Sequence, residues 1–336
     1  MEMRCLGRTG LHVSEICLGT MTFGNQADED TAFDIMNAAD AAGVQFIDTA
    51  DVYPLGGDLS MVGRTEEIVG RWLHSRAARE RIILATKCRG AMGESPNAQG
   101  LSRYHIQRAC EASLRRLQTD VIDLYQVHWP DLETPIEETL RALDDLVTAG
   151  KVRYIGCSNY PAWLLTSALW ASDKYNLARF ETVQPRYNIL FRMIEEELLP
   201  LCAAQDLGVL VYNPLAGGML TSRYVEKAEL APDARFGLER SGDLYRRRYW
   251  NDAVLEQVRG LHAKLQSAGK SLTHVALAWT LAQPGITSAI VGARTVEQLS
   301  DSLQGVGMAL SAEEAAWCDD VWFDLPRIRD PQIARR

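Results

Sequence analysis

The chain has 336 residues, of which 47% are hydrophobic and 24% are charged, a composition typical of a globular protein. It carries 35 Lys and Arg residues against 44 Asp and Glu residues, and the net charge of -9 argues against nucleic acid or an anionic membrane surface as a partner. The 7 cysteines show no CxxC or zinc spacing, and no apolar run has signal-peptide or membrane-spanning length, so we expect free thiols and a cytoplasmic location.

Apolar patterns alternate between strand-like and helix-like periods along almost the whole chain. Met3–Val13 is predicted to form a β-hairpin around a Gly-rich turn. Eight short apolar runs are predicted to be strands: Ile16–Leu18, Val44–Ile47, Ile82–Ala85, Val121–Val127, Val152–Cys157, Thr182–Gln184, Leu207–Tyr212 and Thr287–Val291. Amphipathic helices are predicted between and after them at Asp28–Gly43, Glu66–Ser75, His105–Leu117, Pro135–Ala149, Pro161–Tyr175, Ile194–Asp206, Asn251–Ala268, Leu272–Ala282, Val296–Leu303 and Ala312–Val321.

The spacing of the predicted strands indicates the fold. Most strand ends lie about 25–40 residues apart, which is the period of a βα unit in an eight-fold barrel. We therefore predict an α/β protein whose residues 1–336 form one (β/α)8 TIM-barrel domain, with the N-terminal hairpin, a long loop at Arg223–Trp250 after the seventh strand and further helices at the C-terminal end. A doubly wound sheet is the competing fold, but it is expected to carry GxGxxG after its first strand. Gly19 and Gly24 do not have that spacing.

Four polar residues follow or end predicted strands, although they are far apart in sequence. Asp48 and Tyr53 occur in FIDTADVY, Lys87 in RIILATK and His128 in VIDLYQVHW. If these strands are parallel neighbours, the four side chains meet at the rim formed by the strands' carboxyl ends, where barrel enzymes carry out their chemistry.

The four residue types also form a plausible proton-donating set. A tyrosine hydroxyl has a pKa of about 10, and a neighbouring ammonium group lowers it. A carboxylate keeps the lysine charged and in place, while histidine can position a carbonyl oxygen or relay a proton. Such a set can protonate a developing alkoxide, and the electrons then have to come from a cofactor.

At these residues the chain resembles the aldo-keto reductases, a family of NAD(P)H-dependent carbonyl reductases with a TIM-barrel fold. The resemblance extends from about Leu6 to about Leu310, and relative to the family's commonest pattern Pro54–Gly63 looks like an insertion. Beyond the four polar residues it rests on LGTMTFG from position 18, GKVRYIGCSNY from 150, VQPRYN from 183, YNPLAGGML from 212 and IVGARTVEQL from 290.

The resemblance implies that the chain reduces an aldehyde or ketone with NADPH, with Asp48, Tyr53, Lys87 and His128 as catalytic residues and a small carbonyl compound as the partner. Tyr53, His128 and Trp129 would contact the substrate. The cofactor would be bound by Gly19, Thr20, Met21, Asp48, Ser158, Asn159, Gln184, Tyr212, Asn213, Leu215, Gly217, Gly292, Arg294, Gln298, Asp301 and Ser302. Arg294 stands where the adenosine 2′-phosphate lies in the family, close to a helix N-terminus, which attracts anions.

Three readings remain open. Tyr245, Tyr249 and Trp250 line either a substrate pocket or a packed loop. The chain could instead be a redox-sensing subunit that holds its cofactor tightly, as in the potassium-channel β subunits that share this fold. A metal-dependent barrel hydrolase would need converging His and Asp ligands, and His128 is the one histidine at a predicted strand end. The oligomeric state is left open by the sequence.

Overall fold

The computed structural model describes residues 1–226, 235–238 and 242–327, which fall into two compact units. The first unit consists of Met1–Pro185, Ile194–Val211 and Gly285–Leu299. The second consists of Arg186–Met193, Tyr212–Pro284 and Ser300–Arg336. The single-domain organisation stays a prediction, and each unit is described by itself.

The first unit begins with a hairpin and contains a closed barrel. Strands β1 (Met3–Cys5) and β2 (His12–Ser14) pair in antiparallel fashion. Eight parallel strands then close the barrel, with the last strand pairing with the first. They are β3 (Ile16–Gly19), β4 (Phe46–Asp48), β5 (Ile83–Cys88), β6 (Ile122–Val127), β7 (Val152–Ser158), β8 (Phe180–Gln184), β9 (Gly208–Tyr212) and β10 (Ser288–Gly292). The predicted α/β TIM barrel and its N-terminal hairpin are confirmed.

One α-helix follows each strand from β3 to β8, and two of these helices begin at a side-chain cap. The helices are α1 (Glu29–Ala41), α2 (Arg64–Ser75), α3 (Arg103–Leu117), α4 (Ile136–Thr148), α5 (Ala162–Tyr175) and α6 (Leu198–Ala204). The Asp28 carboxylate accepts the Thr31 N–H at 3.0 Å, and Ser102 caps α3 in the same way. The predicted helix from Ile194 starts too early, because Glu197 has a φ of -136°, outside the helical region.

The remaining helices are α7 (Arg223–Glu226), α8 (Gly242–Tyr249), α9 (Asp252–Ser267), α10 (Leu272–Ala282), α11 (Val296–Leu303) and α12 (Ala312–Asp324). The prediction of a loop over Arg223–Trp250 is wrong for α7 and α8, while positions 227–234 and 239–241 lie outside the described residues. Helix α8 is stabilised by an ion pair between Asp243 and Arg247 one turn apart, at 2.7 Å. Its Tyr245 and Tyr249 are buried, which favours packing over a substrate pocket for this pair.

The register of the barrel aligns the carboxyl ends of its first strands. Asp48 of β4 lies beside Gly19 of β3, and Lys87 of β5 lies beside Gln126 of β6. The pairing continues past the strand end, since the His128 N–H donates to the Cys88 carbonyl at 2.9 Å.

Among the described residues, no helix combines the length and apolar character needed to cross a membrane.

Candidate active site

A buried ion pair lies at the centre of the barrel rim. The Lys87 ammonium is 2.5 Å from Oδ2 of Asp48 and also donates to the Thr49 carbonyl at 2.7 Å. Burial disfavours the charged form of Lys87, but the charge of the Asp48 carboxylate, the phenolate form of Tyr53 and the hydrogen bond to Asp48 outweigh it and raise the lysine pKa. Lys87 therefore remains a cation although its side chain is fully buried.

The second oxygen of Asp48 is held by two side-chain amides. Oδ1 accepts hydrogen bonds from Gln126 Nε2 at 3.0 Å and Gln184 Nε2 at 2.9 Å, and Gln184 also donates to Gln126. Both oxygens are thus occupied, which fixes the orientation of the carboxylate. Gln126 was not predicted as a site residue, although it lies two positions before His128, which directly follows the same strand, and this spacing indicates the same face of the barrel wall.

Tyr53 lies in the turn that follows β4, where its N–H donates to the Ala50 carbonyl at 3.2 Å. Its ring centroid is 5.0 Å from the Lys87 ammonium and 5.7 Å from the centroid of the His128 ring. The two rings meet edge to face, with an interplanar angle of 78°. The structure therefore brings Asp48, Tyr53, Lys87 and His128 together at one place on the rim.

The His128 imidazole is held in its neutral form. Burial lowers its pKa well below the usual value, and the positive charges of Lys87 and Arg89 add to this effect. Its ring stacks on Trp129 with the centroids 3.9 Å apart. Within the described part of the chain, its buried Nδ1 atom has no hydrogen-bond partner. A neutral, stacked ring can donate a hydrogen bond to a carbonyl oxygen but brings no positive charge of its own.

Three of the predicted cofactor residues, Ser158, Asn159 and Gln184, form one connected cluster. The Ser158 hydroxyl donates to the Gln184 carbonyl at 2.8 Å. The Asn159 side-chain amide donates to Ser158 Oγ at 3.0 Å and to the His128 carbonyl at 3.0 Å. These hydroxyl and amide groups are neutral and can both donate and accept, so their chemistry fits a carboxamide better than a charged ligand.

The rim of β3 and β10 carries little side-chain bulk. Gly19 and Gly292 are paired across the two strands, and a Cβ atom at Gly19 would lie 2.8 Å from a side-chain atom of β10. Thr20 donates from its hydroxyl and its N–H to the Asp48 carbonyl, at 3.0 Å and 3.1 Å. Met21 follows and is half-buried. Glycine at position 19 is therefore required by packing against β10, whereas Gly292 is exposed at the end of its strand.

Four of the predicted cofactor residues lie in α11 or directly before it: Arg294, Gln298, Asp301 and Ser302. The Arg294 side chain is half-buried, and its backbone N–H donates to Gln298 Oε1 at 3.0 Å. In the second unit, Asp301 is paired with His274 at 2.9 Å and Ser302 is buried. Arg294 is thus placed near a helix N-terminus, as predicted. Asp301, by contrast, is already paired with His274, and Ser302 is buried in the protein.

The other predicted cofactor residues, Tyr212, Asn213, Leu215 and Gly217, belong to the second unit. Asn213 and Gly217 have positive φ angles of 60° and 70°. A Cβ atom at Gly217 would lie 2.6 Å from a ring carbon of Tyr245. The glycine is therefore required by packing against this tyrosine, a reason that the sequence did not reveal.

Comparison with known proteins agrees with this geometry. The model of the Aldo/keto reductase family matches residues 15–322. The chain belongs to the aldo/keto reductase family. Membership supports an oxidoreductase activity, and nicotinamide cofactors are general in this family.

Three relatives illustrate the range of the family. The chain is 40% identical to the "Uncharacterized oxidoreductase YrpG" of Bacillus subtilis, with 96% of each chain covered. It is 34% identical to the "Aldo-keto reductase YhdN" of the same organism, covering 94% of this chain and 91% of the relative. It is also 37% identical to a "Probable voltage-gated potassium channel subunit beta" of Arabidopsis thaliana, over 91% of each chain.

Directly behind Lys87 lies a buried carboxyl group that the sequence analysis did not consider. The Asp51 N–H donates to the Lys87 carbonyl at 3.0 Å, and both oxygens of its carboxyl group are fully buried. Burial raises the pKa of Asp51 well above its usual value, and the Glu66 carboxylate adds to the rise while Arg116 opposes it. Glu66 itself is bound by Thr86 at 2.5 Å and by Arg116 at 2.7 Å.

Proposed function

We propose that the protein reduces an aldehyde or ketone to an alcohol with NADPH as the cofactor. The observation that carries this proposal is the convergence of Tyr53 and His128 on the buried Lys87–Asp48 pair. A phenol beside a permanent cation is suited to giving a proton to an oxygen that becomes negative during reduction.

Each side chain has a distinct role in the proposal. Tyr53 donates the proton to the substrate oxygen, and Lys87 stabilises the phenolate that is left. Asp48 holds Lys87 in place and keeps it charged. The neutral ring of His128 orients the substrate oxygen by donating a hydrogen bond. NADPH, when bound, supplies the hydride that reduces the carbonyl carbon.

The residues at the rim fit a nicotinamide cofactor. Ser158, Asn159 and Gln184 would bind its carboxamide group, because they form a neutral cluster of hydroxyl and amide groups next to His128. Arg294 would bind the adenosine 2′-phosphate, since a guanidinium forms paired hydrogen bonds with phosphate oxygens. The cofactor-binding role of the other predicted cofactor residues rests on the resemblance to the family alone.

The relative named as a potassium-channel subunit favours a second candidate, a cofactor-binding subunit of a larger assembly. The intact set of four polar residues supports the enzyme instead, because a tight cofactor complex does not itself require a proton donor. The two functions differ in a measurable way: an enzyme turns over many times, whereas such a subunit retains its cofactor and turns over slowly.

The test is a panel of aldehydes and ketones assayed with NADPH, followed by the loss of nicotinamide absorbance. We expect repeated turnover with at least one class of carbonyl compound and matching alcohol formation in the product analysis. A protein that binds NADPH tightly but completes no more than one turnover with every carbonyl compound would favour the subunit function.

A further inference from the structure

Arg89 is a cation on the rim beside the candidate catalytic histidine. It follows the last residue of β5 and stands two positions after Lys87. Because the His128 N–H donates to the Cys88 carbonyl at 2.9 Å, the pairing of β5 with β6 continues to the rim. Arg89 is therefore the lateral neighbour of His128 at the mouth of the barrel.

The backbone at Arg89 is fixed in an unusual conformation. Its φ angle is 130°, a region that residues with a side chain rarely adopt. Its carbonyl accepts the Gly100 N–H at 2.8 Å. At the next position a Cβ atom on Gly90 would lie 2.2 Å from the side chain of Val52, so this turn packs closely against the residue that precedes Tyr53. Such conformations persist where the surrounding structure imposes them, and they are frequent at binding sites.

The Arg89 guanidinium has no counter-ion in the part of the chain that the structure describes. Its side chain is half-buried, and its fully buried Nε atom has no hydrogen-bond partner among residues 1–226, 235–238 and 242–327. Asp131 is not its partner, because this carboxylate accepts hydrogen bonds from the Leu101 N–H at 2.8 Å, the Thr134 hydroxyl at 2.8 Å and the Glu133 N–H at 3.1 Å. Arg89 acts on Asp131 only at longer range, where its charge helps to lower the aspartate pKa.

A partly buried cation without a partner is unfavourable unless a ligand supplies the missing charge. Guanidinium groups match carboxylates through two parallel hydrogen bonds. The chain as a whole carries a net charge of -9, so global charge does not explain a cation at this position. We propose that Arg89 binds an anionic group of the substrate, and that the preferred substrates are aldehydes or ketones bearing a carboxylate. This inference rests on the proposed reductase function.

The experiment compares two substrates of nearly equal size, 4-carboxybenzaldehyde and its neutral methyl ester, together with the corresponding 3-substituted pair. The quantity measured is the ratio of kcat/KM for the acid to kcat/KM for the ester. The variants are Arg89→Gln, which removes the charge, and Arg89→Lys, which keeps the charge but loses the paired geometry. Arg141→Gln is the matched control, because Arg141 is exposed on α4. Thermal unfolding confirms that each variant is folded.

For at least one substrate pair we expect Arg89→Gln to lower the ratio by about ten- to a hundredfold, as for a lost hydrogen bond to a charged group. Arg89→Lys should give an intermediate ratio, and Arg141→Gln should keep the wild-type ratio. An Arg89→Gln ratio equal to that of Arg141→Gln for both pairs would overturn the inference, whereas failure of wild type to reduce any carbonyl compound would contradict the proposed function instead.

A calorimetric binding measurement tests Arg89 without turnover. It uses 3- and 4-(hydroxymethyl)benzoate, the alcohol products of the two acids, as ligands for the protein loaded with NADP⁺. We expect at least one benzoate to bind wild type about ten- to a hundredfold more tightly than it binds Arg89→Gln. Equal affinity of both proteins for both benzoates would overturn the assignment of Arg89.

Discussion

The ammonium of Lys87 lies 2.5 Å from a carboxylate oxygen of Asp48, and both side chains are buried. A buried pair of this kind is stable only while both charges are present, because removing one leaves the other desolvated and unpaired. The pair places a permanent cation 5.0 Å from the ring centroid of Tyr53. The proposed proton transfer depends on this arrangement.

Replacing Lys87 with methionine tests both roles of the pair. Lys87→Met should lower the free energy of unfolding by about 3–5 kcal/mol, because Asp48 becomes an unpaired buried charge. It should also reduce turnover and shift the pH–rate profile, since the phenolate form of Tyr53 loses its neighbouring cation. Denaturant unfolding and kcat measured across pH give the two results.

The double variant Lys87→Met with Asp48→Asn separates stability from chemistry. It removes both charges, so we expect it to recover much of the lost stability while turnover remains low. If Lys87→Met alone leaves both the rate and the pH–rate profile unchanged, the proton-donor role proposed for Tyr53 and Lys87 is wrong.

Arg294→Ala tests the cofactor preference. If Arg294 binds the 2′-phosphate of NADPH, the variant should bind NADPH about ten- to a hundredfold more weakly and NADH nearly as well as wild type. Fluorescence or calorimetric titration with each cofactor measures this difference, and Arg141→Ala serves as the surface control. Equal weakening for both cofactors, or none for either, would remove Arg294 from phosphate recognition.

Asp51→Asn tests the buried carboxyl group behind Lys87. Because the pKa of Asp51 is raised in the folded protein, the folded state keeps this proton above about pH 4, whereas the unfolded chain, with a pKa of about 3.9, releases it. Wild type therefore loses stability from this group as the pH rises, by up to about 1.4 kcal/mol per pH unit until the folded pKa is reached.

The amide introduced by Asp51→Asn cannot ionise, so the stability of the variant relative to wild type should increase as the pH rises above about 4, until the folded pKa of Asp51 is reached. Denaturant unfolding at several pH values measures this trend, and Asp120→Asn on the surface controls for the loss of one carboxylate. A difference between Asp51→Asn and wild type that stays constant over this range would mean that Asp51 is not protonated in the folded protein.

Much of the site could be predicted because its residues mark strand ends. Asp48 ends a buried strand, Lys87 lies one residue before the end of the next, and His128 directly follows a third, so parallel pairing alone brings them to the same rim. The barrel itself follows from the regular alternation of apolar strands with capped helices, as at Ser102 and Asp28.

Other features depend on neighbours that are distant in sequence. In the sequence Gln126 is an ordinary strand residue. Its role depends on the hydrogen bond from its amide to Asp48, which is 78 positions away. Arg89 resembles a surface arginine until the structure places it beside His128 without a counter-ion in the described residues. The sequence pattern predicts a loop where the structure has α8. Three consecutive arginines interrupt the apolar pattern, so the i, i+4 spacing of Tyr245 and Tyr249 does not indicate a helix on its own.

The most direct test of the proposed function compares wild type with Tyr53→Phe in single-turnover reduction of a substrate found in the carbonyl panel, under saturating NADPH. The change removes one hydroxyl and leaves the ring contacts with Lys87 and His128 in place. We expect NADPH to bind as in wild type and the rate of the chemical step to fall by about 10²–10⁴-fold, the usual cost of losing a general acid. A Tyr53→Phe variant that performs this step at the wild-type rate would contradict the assignment of Tyr53 as the proton donor.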